Sequence, residues 1–326
     1  MKIIRKSLFI ITTFTLLFFP KVNFGQAPDL GTASGFALFT SAGAFTVTDN
    51  ATHVTGDVGT HVGVFTAFPP GTLVGQIHVA DATSAQAATD VAAAYSDLFG
   101  RTCSTTLTTP LGNGQTLAPG VYCLTTASTL NGDLILDGGG DPNALFIIKI
   151  GGAFATGASS NVILIDSADL CNVYWQIGGQ FDLGDGSVFR GTAIVDGAIN
   201  LLGTSSLLGR GLSRAGAISL NNNIVNFLPA AAGNITGTAV VCQGLTGVSY
   251  SVAAITNATS YIWVLPAGAT IIAGANTNSI TVSFGMSAIS GNITVQGSNG
   301  CGTGTVSENY YVTVNPLPFT SLIWHF

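Results

Sequence analysis

The sequence predicts a mainly β protein, in which a β-solenoid with one α-helix packed alongside is followed by a β-sandwich. Three observations support this fold class. A five-residue repeat recurs in the middle of the chain, one alanine-rich segment has helical spacing, and the strand pattern changes near residue 230. Short repeats favour a solenoid because each coil can bury its apolar side only against its neighbours.

The repeat consists of an aliphatic residue, any residue, glycine, any residue, and then Phe or Ile. It occurs at residues 150–154, 177–181 and 195–199, and at 214–218 with Arg214 in the first place. The glycines at its third position lie 27, 18 and 19 residues apart. Such a spacing, with β-branched residues between glycine corners, is typical of the coils of a β-solenoid.

The solenoid is expected to cover residues 29–228, with apolar side chains at alternating positions filling its interior. These inward positions are Leu134, Leu136, Phe146, Ile148, Val162, Leu164, Val173, Trp175, Phe181, Ile194, Ile199, Leu201, Ile218 and Leu220. At the corners, Gly157, Gly184, Gly203 and Asn221 are expected to supply positive φ angles.

One helix is expected at residues 81–99, where Ala87, Val91, Ala94 and Leu98 form a narrow apolar stripe. Asp81 suits the N-cap and Gly100 the C-cap. Because the side chains of the stripe are small, the helix is expected to lie close against one wall of the solenoid.

Residues 229–234 are expected to link the solenoid to a second domain at residues 235–318, whose strands alternate apolar and polar residues. The order Cys242, Trp263, Cys301 in this region resembles that of an immunoglobulin-like fold. The run from Ile235 to Pro318 resembles, more specifically, the PKD-like modules of exported bacterial proteins, which act as spacers. Residues 319–326 form an apolar tail that ends abruptly, as in a truncated product.

Composition excludes several classes of function. Charged residues make up only 7% of the chain, against about 25% in ordinary soluble domains. The net charge of −6 is spread thinly and the mature part has no Lys/Arg cluster, which argues against nucleic acids and anionic membranes as partners. A chain with 47% apolar residues can nevertheless bury a core, so its surface must be neutral and rich in hydroxyl groups.

Residues 1–25 have the pattern of a secretory signal peptide: Lys2, Arg5 and Lys6 precede an apolar run from Leu8 to Phe19. That run is shorter than the roughly 20 residues that span a bilayer. The mature protein is therefore expected to be extracellular, either free or attached to the cell surface, and monomeric.

Export makes disulfides the expected role of the cysteines, with Cys103 paired to Cys123, Cys242 paired to Cys301, and Cys171 left as a buried thiol. Metal binding is the alternative. No C-x-x-C pair exists and the histidines are only His53, His61, His78 and His325, so neither a metal nor a cofactor is expected.

Several segments of the solenoid resemble the large bacterial and fungal family of ice-binding proteins. They are residues 116–122, 137–149, 171–178 and 189–194, in the order in which that family has them. The resemblance covers about Asp29 to Phe227 and implies a solenoid of triangular section flanked by a long helix. It also implies adsorption to ice, with thermal hysteresis and inhibition of recrystallisation, and no catalysis.

Ice binding needs a flat, uncharged face, and stacked coils keep such a face flat where ordinary sheets twist. Related proteins use strands that follow glycine corners, and Thr126-Ala127-Ser128-Thr129 fits a Thr-Ala/Gly-x-Thr/Asn pattern of some members. The resemblance therefore assigns the face to Thr52, Thr55, Thr126, Thr129, Thr156, Ser159, Ser160, Ser187, Thr204, Ser206 and Asn222. Leu183, Asp185 and Leu202 fall where further threonines would be expected.

Two other functions remain as alternatives. The first is an extracellular adhesin or glycan-binding protein, which is compatible with a tether through the second domain; for this, Tyr174 is the aromatic residue expected to point outward. The second is a polysaccharide-degrading enzyme, since solenoid enzymes use clustered carboxylates. Here Asp137 and Asp141 are expected in a glycine-rich turn, Asp182 and Asp185 are expected to flank a corner, and no basic partner recurs beside them.

Overall fold

The computed structural model describes residues 25–317. Residues 1–24, with most of the expected signal peptide, and residues 318–326, with the expected tail, lie outside the described residues.

The chain first forms two coils of short strands and part of a third. A 3₁₀ helix at Gly31–Gly35 precedes them. The strands are β1 (Phe36–Ala42), β2 (Phe45–Val47), β3 (His53–Thr55), β4 (Asp57–Val62), β5 (Phe65–Thr66), β6 (Thr72–Val74) and β7 (Ile77–Val79).

Helix α1 (Ala82–Gly100) follows and confirms the predicted apolar stripe, because Ala87, Val91, Ala94 and Leu98 are all buried. Asp81 is the N-cap, as expected, while Gly100 is the last helical residue and Arg101 is the C-cap. No helix within residues 25–317 is long and apolar enough to cross a membrane.

After the helix the coils resume, with a second 3₁₀ helix at Leu170–Asn172. The strands are β8 (Thr105–Thr106), β9 (Leu111–Gly112), β10 (Gln115–Leu117), β11 (Gly120–Leu124), β12 (Ser128–Asn131), β13 (Asp133–Asp137), β14 (Phe146–Ile150), β15 (Phe154–Thr156), β16 (Asn161–Ile165), β17 (Val173–Ile177), β18 (Phe181–Leu183), β19 (Val188–Val195), β20 (Ile199–Leu201), β21 (Ser206–Ser213), β22 (Ile218–Leu220) and β23 (Ile224–Asn226).

The strands form three parallel faces, which the chain visits in the order a, b, c. The a face, beside α1, runs β8-β11-β14-β17-β19-β21-β1-β4-β7. The b face is a separate eight-stranded sheet, β9-β12-β15-β18-β20-β22-β2-β5. The c face runs β10-β13-β16-β19-β21-β23-β3-β6, and the long strands β19 and β21 continue from c into a.

The coils do not stack in the order of the chain. The last coil lies against the first, since β22 pairs with β2 and β23 pairs with β3. Helix α1 carries the chain from the end formed by β7 to the opposite end at β8. The first coils are therefore held in the stack by the last ones, and both halves of the solenoid share one core.

The interior contains the predicted inward residues with two differences. Leu164 is only partly buried, and Ile194 belongs to a second cluster on the a face, with Val91 and Leu98 of α1. The predicted inward position of Ile194 is wrong because β19 bends at Gly191, which has a φ of 111°. Ala193 therefore points inward and Ile194 faces the helix.

The C-terminal module consists of a four-stranded and a five-stranded sheet around a core that includes Trp263. Its strands are β24 (Thr236–Gly237), β25 (Val240–Cys242), β26 (Val248–Ser251), β27 (Ser260–Val264), β28 (Ala269–Ala273), β29 (Ser279–Phe284), β30 (Gly291–Asn299), β31 (Gly302–Thr303) and β32 (Tyr310–Asn315). Residues 229–234, expected as a linker, are bonded to this module: the Ala230 and Ala232 amides donate to the Thr256 and Thr305 carbonyls.

Two disulfides are present, and one of them differs from the prediction. Cys103 pairs with Cys123, as expected. Cys301 pairs with Cys171 across the two domains, so the predicted bridge from Cys242 to Cys301 and the buried thiol at Cys171 are both wrong. Cys242 is a free and exposed thiol. It lies at the opposite end of the module from Cys301, beyond the Cα separation of about 7 Å that a disulfide allows.

Candidate functional site

The b face presents one straight row of outward side chains, one from each of seven adjacent strands. The pairing register aligns Thr66, Thr46, Ser219, Asn200, Asp182, Ala155 and Thr129. At a strand spacing of about 4.8 Å, this outer row is about 29 Å long. It is built almost entirely from small, uncharged side chains.

A second row runs beside the outer row, at the residue that precedes each inward side chain. It consists of Val64, Ala44, Ala217, Ala198, Gln180, Ala153 and Ala127. The carbonyl of each residue from Val64 to Ala153 accepts a hydrogen bond from the neighbouring coil, at 2.8 to 2.9 Å. We call these two rows together the b-face array. The alanine methyl groups of the array offer water no hydrogen-bonding group.

The repeat glycines explain why the array is closely stacked. A Cβ atom added at Gly216 would lie 2.3 Å from the backbone nitrogen of Ala198, and one at Gly179 would lie 2.7 Å from that of Ala153. Gly152 and Gly197 meet the preceding coil in the same way. Only glycine allows this backbone approach, so the repeat marks the corner at which each coil enters the b face.

Hydrogen bonds between side chains fix the middle of the array. The Ser219 hydroxyl donates to Asn200 Oδ1 at 2.8 Å, and Asn200 Nδ2 donates to Asp182 Oδ1 at 2.7 Å. Gln180 Nε2 donates to both carboxylate oxygens of Asp182, at 2.7 and 2.8 Å. These bonds hold four neighbouring side chains in one arrangement before any ligand binds. Asp182 is also the one charged residue of the array.

Four of the residues predicted to bind ice are buried, which corrects the prediction for them. Thr52 is fully buried, Ser160 and Ser187 are 1% exposed, and Thr156 is 7% exposed. They lie inside the corner between the b and c faces. No crystal surface can reach them from outside the folded protein.

These buried hydroxyls stabilise the corner by satisfying polar groups there. Thr156 Oγ1 accepts from the Gly184 amide at 2.8 Å and donates to Ser187 Oγ at 3.2 Å. Ser187 Oγ in turn donates to the Gly157 carbonyl at 2.8 Å. A buried backbone group without a partner is costly, so small hydroxyl residues are needed where the chain turns inward.

At the first coil Asp49 holds a separate set of hydrogen bonds in the same corner. Its carboxylate accepts from the Asn222 amide at 2.6 Å and from Thr52 Oγ1 at 2.9 Å. Burial acts to raise the pKa of Asp49, but these bonds and those from the Ala51 and Thr52 amides hold the pKa below its usual value. The bond to Asn222 joins the first coil to the last one.

The other predicted residues are distributed over three places. Ser159, Thr204 and Asn222 are exposed at the corner between b and c, each with a positive φ of 56° to 60°. Thr55 and Ser206 lie on the c face, whereas Thr126 and Thr129 lie at the b face. The expected positive φ at Gly157, Gly184, Gly203 and Asn221 is wrong, since Ser159, Gly186, Thr204 and Asn222 adopt it instead.

The sequence prediction missed most of the outer row, namely Thr46, Thr66, Ala155, Asp182, Asn200 and Ser219. The signal was in the repeat itself. Its Phe or Ile points inward, so the next residue must point out from the same strand. The prediction instead used the glycines at 157, 184 and 203, which follow the b-face strands and lead into the buried corner.

The residues considered for glycan binding and for catalysis have structural roles in the solenoid. Tyr174, expected to point outward for sugar stacking, is buried at 6% exposure in the cluster that includes residues of α1. Asp137 and Asp141 accept the amides of Gly139 and Asn143, at 2.8 and 2.9 Å, as turn caps. Within residues 25–317 no group of three or more His, Cys, Asp or Glu side chains could hold a metal ion.

Comparison with known proteins gives the family. An ice-binding-like family model matches residues 39–226, and a PKD-like domain model matches residues 228–312. The ice-binding protein of Nostoc sp. (strain HG1) is 38% identical over 200 residues, covering 60% of this chain and 73% of that protein. The ice-binding protein of Leucosporidium sp. (strain AY30) is 31% identical over 228 residues, covering 62% and 85%.

A solved structure agrees with these matches. The crystal structure of the ice-binding protein from the Antarctic ascomycete Antarctomyces psychrotrophicus aligns with a TM-score of 0.58 and 32% identity, over 62% of this chain and 98% of that one. The resemblance inferred from the solenoid motifs and the mainly β fold with a flanking helix are thereby confirmed. The chain belongs to the ice-binding-like family, and its ice-binding-like domain is followed by a PKD-like domain.

Proposed function

We propose that the protein adsorbs to ice through the b-face array and so inhibits ice growth and recrystallisation. The observation that carries this proposal is the straight outer row of seven small side chains on an eight-stranded parallel sheet. A flat array of this kind can meet a crystal plane at many points at once. Many weak contacts then add up to firm attachment.

The array is also suited to hold water in order. Thr46, Thr66 and Thr129 have stiff side chains, each with one hydroxyl group that can hold a water molecule. The bonded group of Ser219, Asn200, Asp182 and Gln180 is already ordered. Docking on ice therefore costs little side-chain entropy. Ice that grows between adsorbed molecules becomes curved and needs a lower temperature to advance.

We propose further that the protein acts outside the cell, as a monomer and without catalysis. The two disulfides fit an oxidising compartment, and the N-terminal residues have the pattern of a signal peptide. The PKD-like module would then act outside the cell as well, either as a spacer or as a tether.

Nanolitre osmometry on the mature chain, residues 26–326, tests the function. We expect a gap between melting and freezing points and faceted crystals. The same sample after heat unfolding is the control and should give round crystals. Round, freely growing crystals with the folded protein at tens of micromolar would contradict ice binding and would make glycan binding the next function to test.

A further inference from the structure

The PKD-like module is joined to the solenoid by a covalent bond as well as by the chain. Cys171, in the 3₁₀ helix before β17, forms a disulfide with Cys301, 130 residues later in the turn between β30 and β31. Both sulfur atoms lie where the domains meet. The module is therefore attached to the solenoid at two points, at residue 228 and at this bridge.

A buried carboxylate reinforces the bridge. Asp169 is only 5% exposed, and its Oδ2 atom accepts from the Gly300 amide at 2.9 Å and from Thr259 Oγ1 at 3.2 Å. Its Oδ1 atom accepts from the Cys171 amide at 2.9 Å. One solenoid side chain thus orders both ends of the disulfide and a second loop of the module.

Polar contacts on the other side of the bridge complete the interface. Asn299 Nδ2 donates to the carbonyls of Phe227 and Asn257, both at 3.0 Å. The Arg210 guanidinium lies 3.9 Å from the centroid of the Phe227 ring and donates to Cys301 Sγ at 3.2 Å. Burial lowers the pKa of Arg210 to about 10, so this cation stays charged at neutral pH. A flexible spacer would not need a buried cation and a buried carboxylate at its joint.

The joint lies on the edge of the solenoid that is opposite the b face. Asp169 and Cys171 lie between β16 of the c face and β17 of the a face. Arg210 lies within β21, which crosses from c to a, and Phe227 follows β23 of the c face. In a triangular section, the corner between c and a is the one farthest from b.

The rest of the module extends away from this joint. Strand β30 runs from Gly291 to Asn299 at the joint, so Gly291 is about 27 Å away at 3.4 Å per residue. Gly291 pairs with Val312 of β32, which continues to Asn315, and Asn315 pairs with Cys242 of β25. The exposed Cys242 thiol is therefore at the far end of the module.

We propose that the PKD-like module is a rigid arm, fixed by this joint to the edge opposite the b face, so that its far end stays clear of ice bound to the b face. This inference rests on the proposed function. It requires that bulk carried at the far end of the arm does not hinder the binding of ice by the b face.

The free thiol provides the test. The mature protein, biotinylated at Cys242, is loaded with streptavidin, and its thermal hysteresis and its uptake into a growing ice crystal are measured. We expect both to equal those of the unloaded protein. A matched variant, Thr46→Cys with Cys242→Ser, carries the same load on the b face and should lose both activities when loaded. Loss of activity with streptavidin on Cys242 would overturn the arm proposal.

A second measurement separates the arm from the proposed function. Spin labels at Cys242 and at Thr55→Cys on the c face report the distance between module and solenoid without ice. One narrow distance distribution is expected, and a broad one would overturn the rigid arm. If the unloaded protein fails to bind ice but the distribution is narrow, the proposed function fails and the rigid joint stands.

Discussion

At the residue scale, the most informative feature of the sequence was the need for glycine at the third position of the repeat. Gly152, Gly179, Gly197 and Gly216 recur because each coil passes so close to the previous one that no Cβ atom fits. The repeat correctly predicted a solenoid. The same repeat also predicts the outward residues, because strand residues alternate between the two sides of a sheet.

Gly216→Ala should destabilise the solenoid. The new methyl group would meet the backbone of Gly197 and Ala198 at 2.3 to 2.7 Å, so neighbouring coils must shift apart. We expect a loss of about 1–3 kcal/mol in the free energy of unfolding, measured by urea denaturation. Gly233→Ala is the matched control, since nothing lies within 4 Å of its Cβ position, and an equal loss in both variants would contradict this explanation.

Asp182→Asn should raise the thermal hysteresis at equal protein concentration. The Asp182 carboxylate is the charged group of the b-face array, and a charge holds water in an arrangement unlike that of ice. Asparagine has nearly the same shape and keeps an oxygen that can accept from Asn200. We expect the stability to change by about 0.5 kcal/mol or less. Unchanged or lower hysteresis in a folded variant would show that the charge does not limit binding.

At the element scale, local rules predicted helix α1 well. Its stripe, its N-cap and its position beside the solenoid depend on residues within one segment. The corner between b and c was not predictable in the same way. Thr156 and Ser187 bond to each other although they belong to different coils. The sequence of one coil reveals neither that such a small polar residue is buried nor which residue it bonds to.

Asp81→Ala should destabilise helix α1 at neutral pH by about 1 kcal/mol, the usual cost of a lost N-cap. The bond from the Ser84 amide, followed by that from the His78 side chain, lowers the pKa of Asp81 to about 2 from a usual 3.8. A lowered pKa stabilises the fold above about pH 4, and this stabilisation is lost as the pH falls through about 2.

The role of the Asp81 charge can be checked by measuring how the stability of both proteins depends on pH. Denaturation of the wild type and of Asp81→Ala should differ at pH 7, and the two curves should converge between about pH 4 and 2. Thr89→Ala, at an exposed position of the same helix, is the control and should follow the wild type. A difference as large at pH 2 as at pH 7 would exclude the charge of Asp81 as its source.

At the scale of the whole molecule, the sequence predicted two domains of the right kinds but not their joint. Cys242, Trp263 and Cys301 have the order of an immunoglobulin-like domain, yet Cys301 bonds to Cys171 of the solenoid. Pairing of this kind depends on where two separately folded domains meet. The stacking of the first coil on the last depends equally on contacts between distant parts of the chain.

The double variant Cys171→Ser/Cys301→Ser should loosen the arm and leave the b face intact. We expect a broader distance distribution between labels at Cys242 and Thr55→Cys than in the wild type, because one of the two attachments is lost. Thermal hysteresis should remain, since the bridge lies on the opposite edge. A distribution as narrow as that of the wild type would show that Asp169, Arg210 and Asn299 fix the arm without the disulfide.

Ice binding by the b face can be tested by comparing Thr46→Tyr with Thr55→Tyr. Both threonines are half-buried and belong to the same coil, Thr46 in β2 on the b face and Thr55 in β3 on the c face. We measure thermal hysteresis by nanolitre osmometry and unfolding by urea denaturation. Thr46→Tyr should lose most of its hysteresis with nearly unchanged stability, while Thr55→Tyr should keep the activity of the wild type. The reverse result, a loss of hysteresis in Thr55→Tyr alone, would exclude the b face and place the ice-binding surface on the c face.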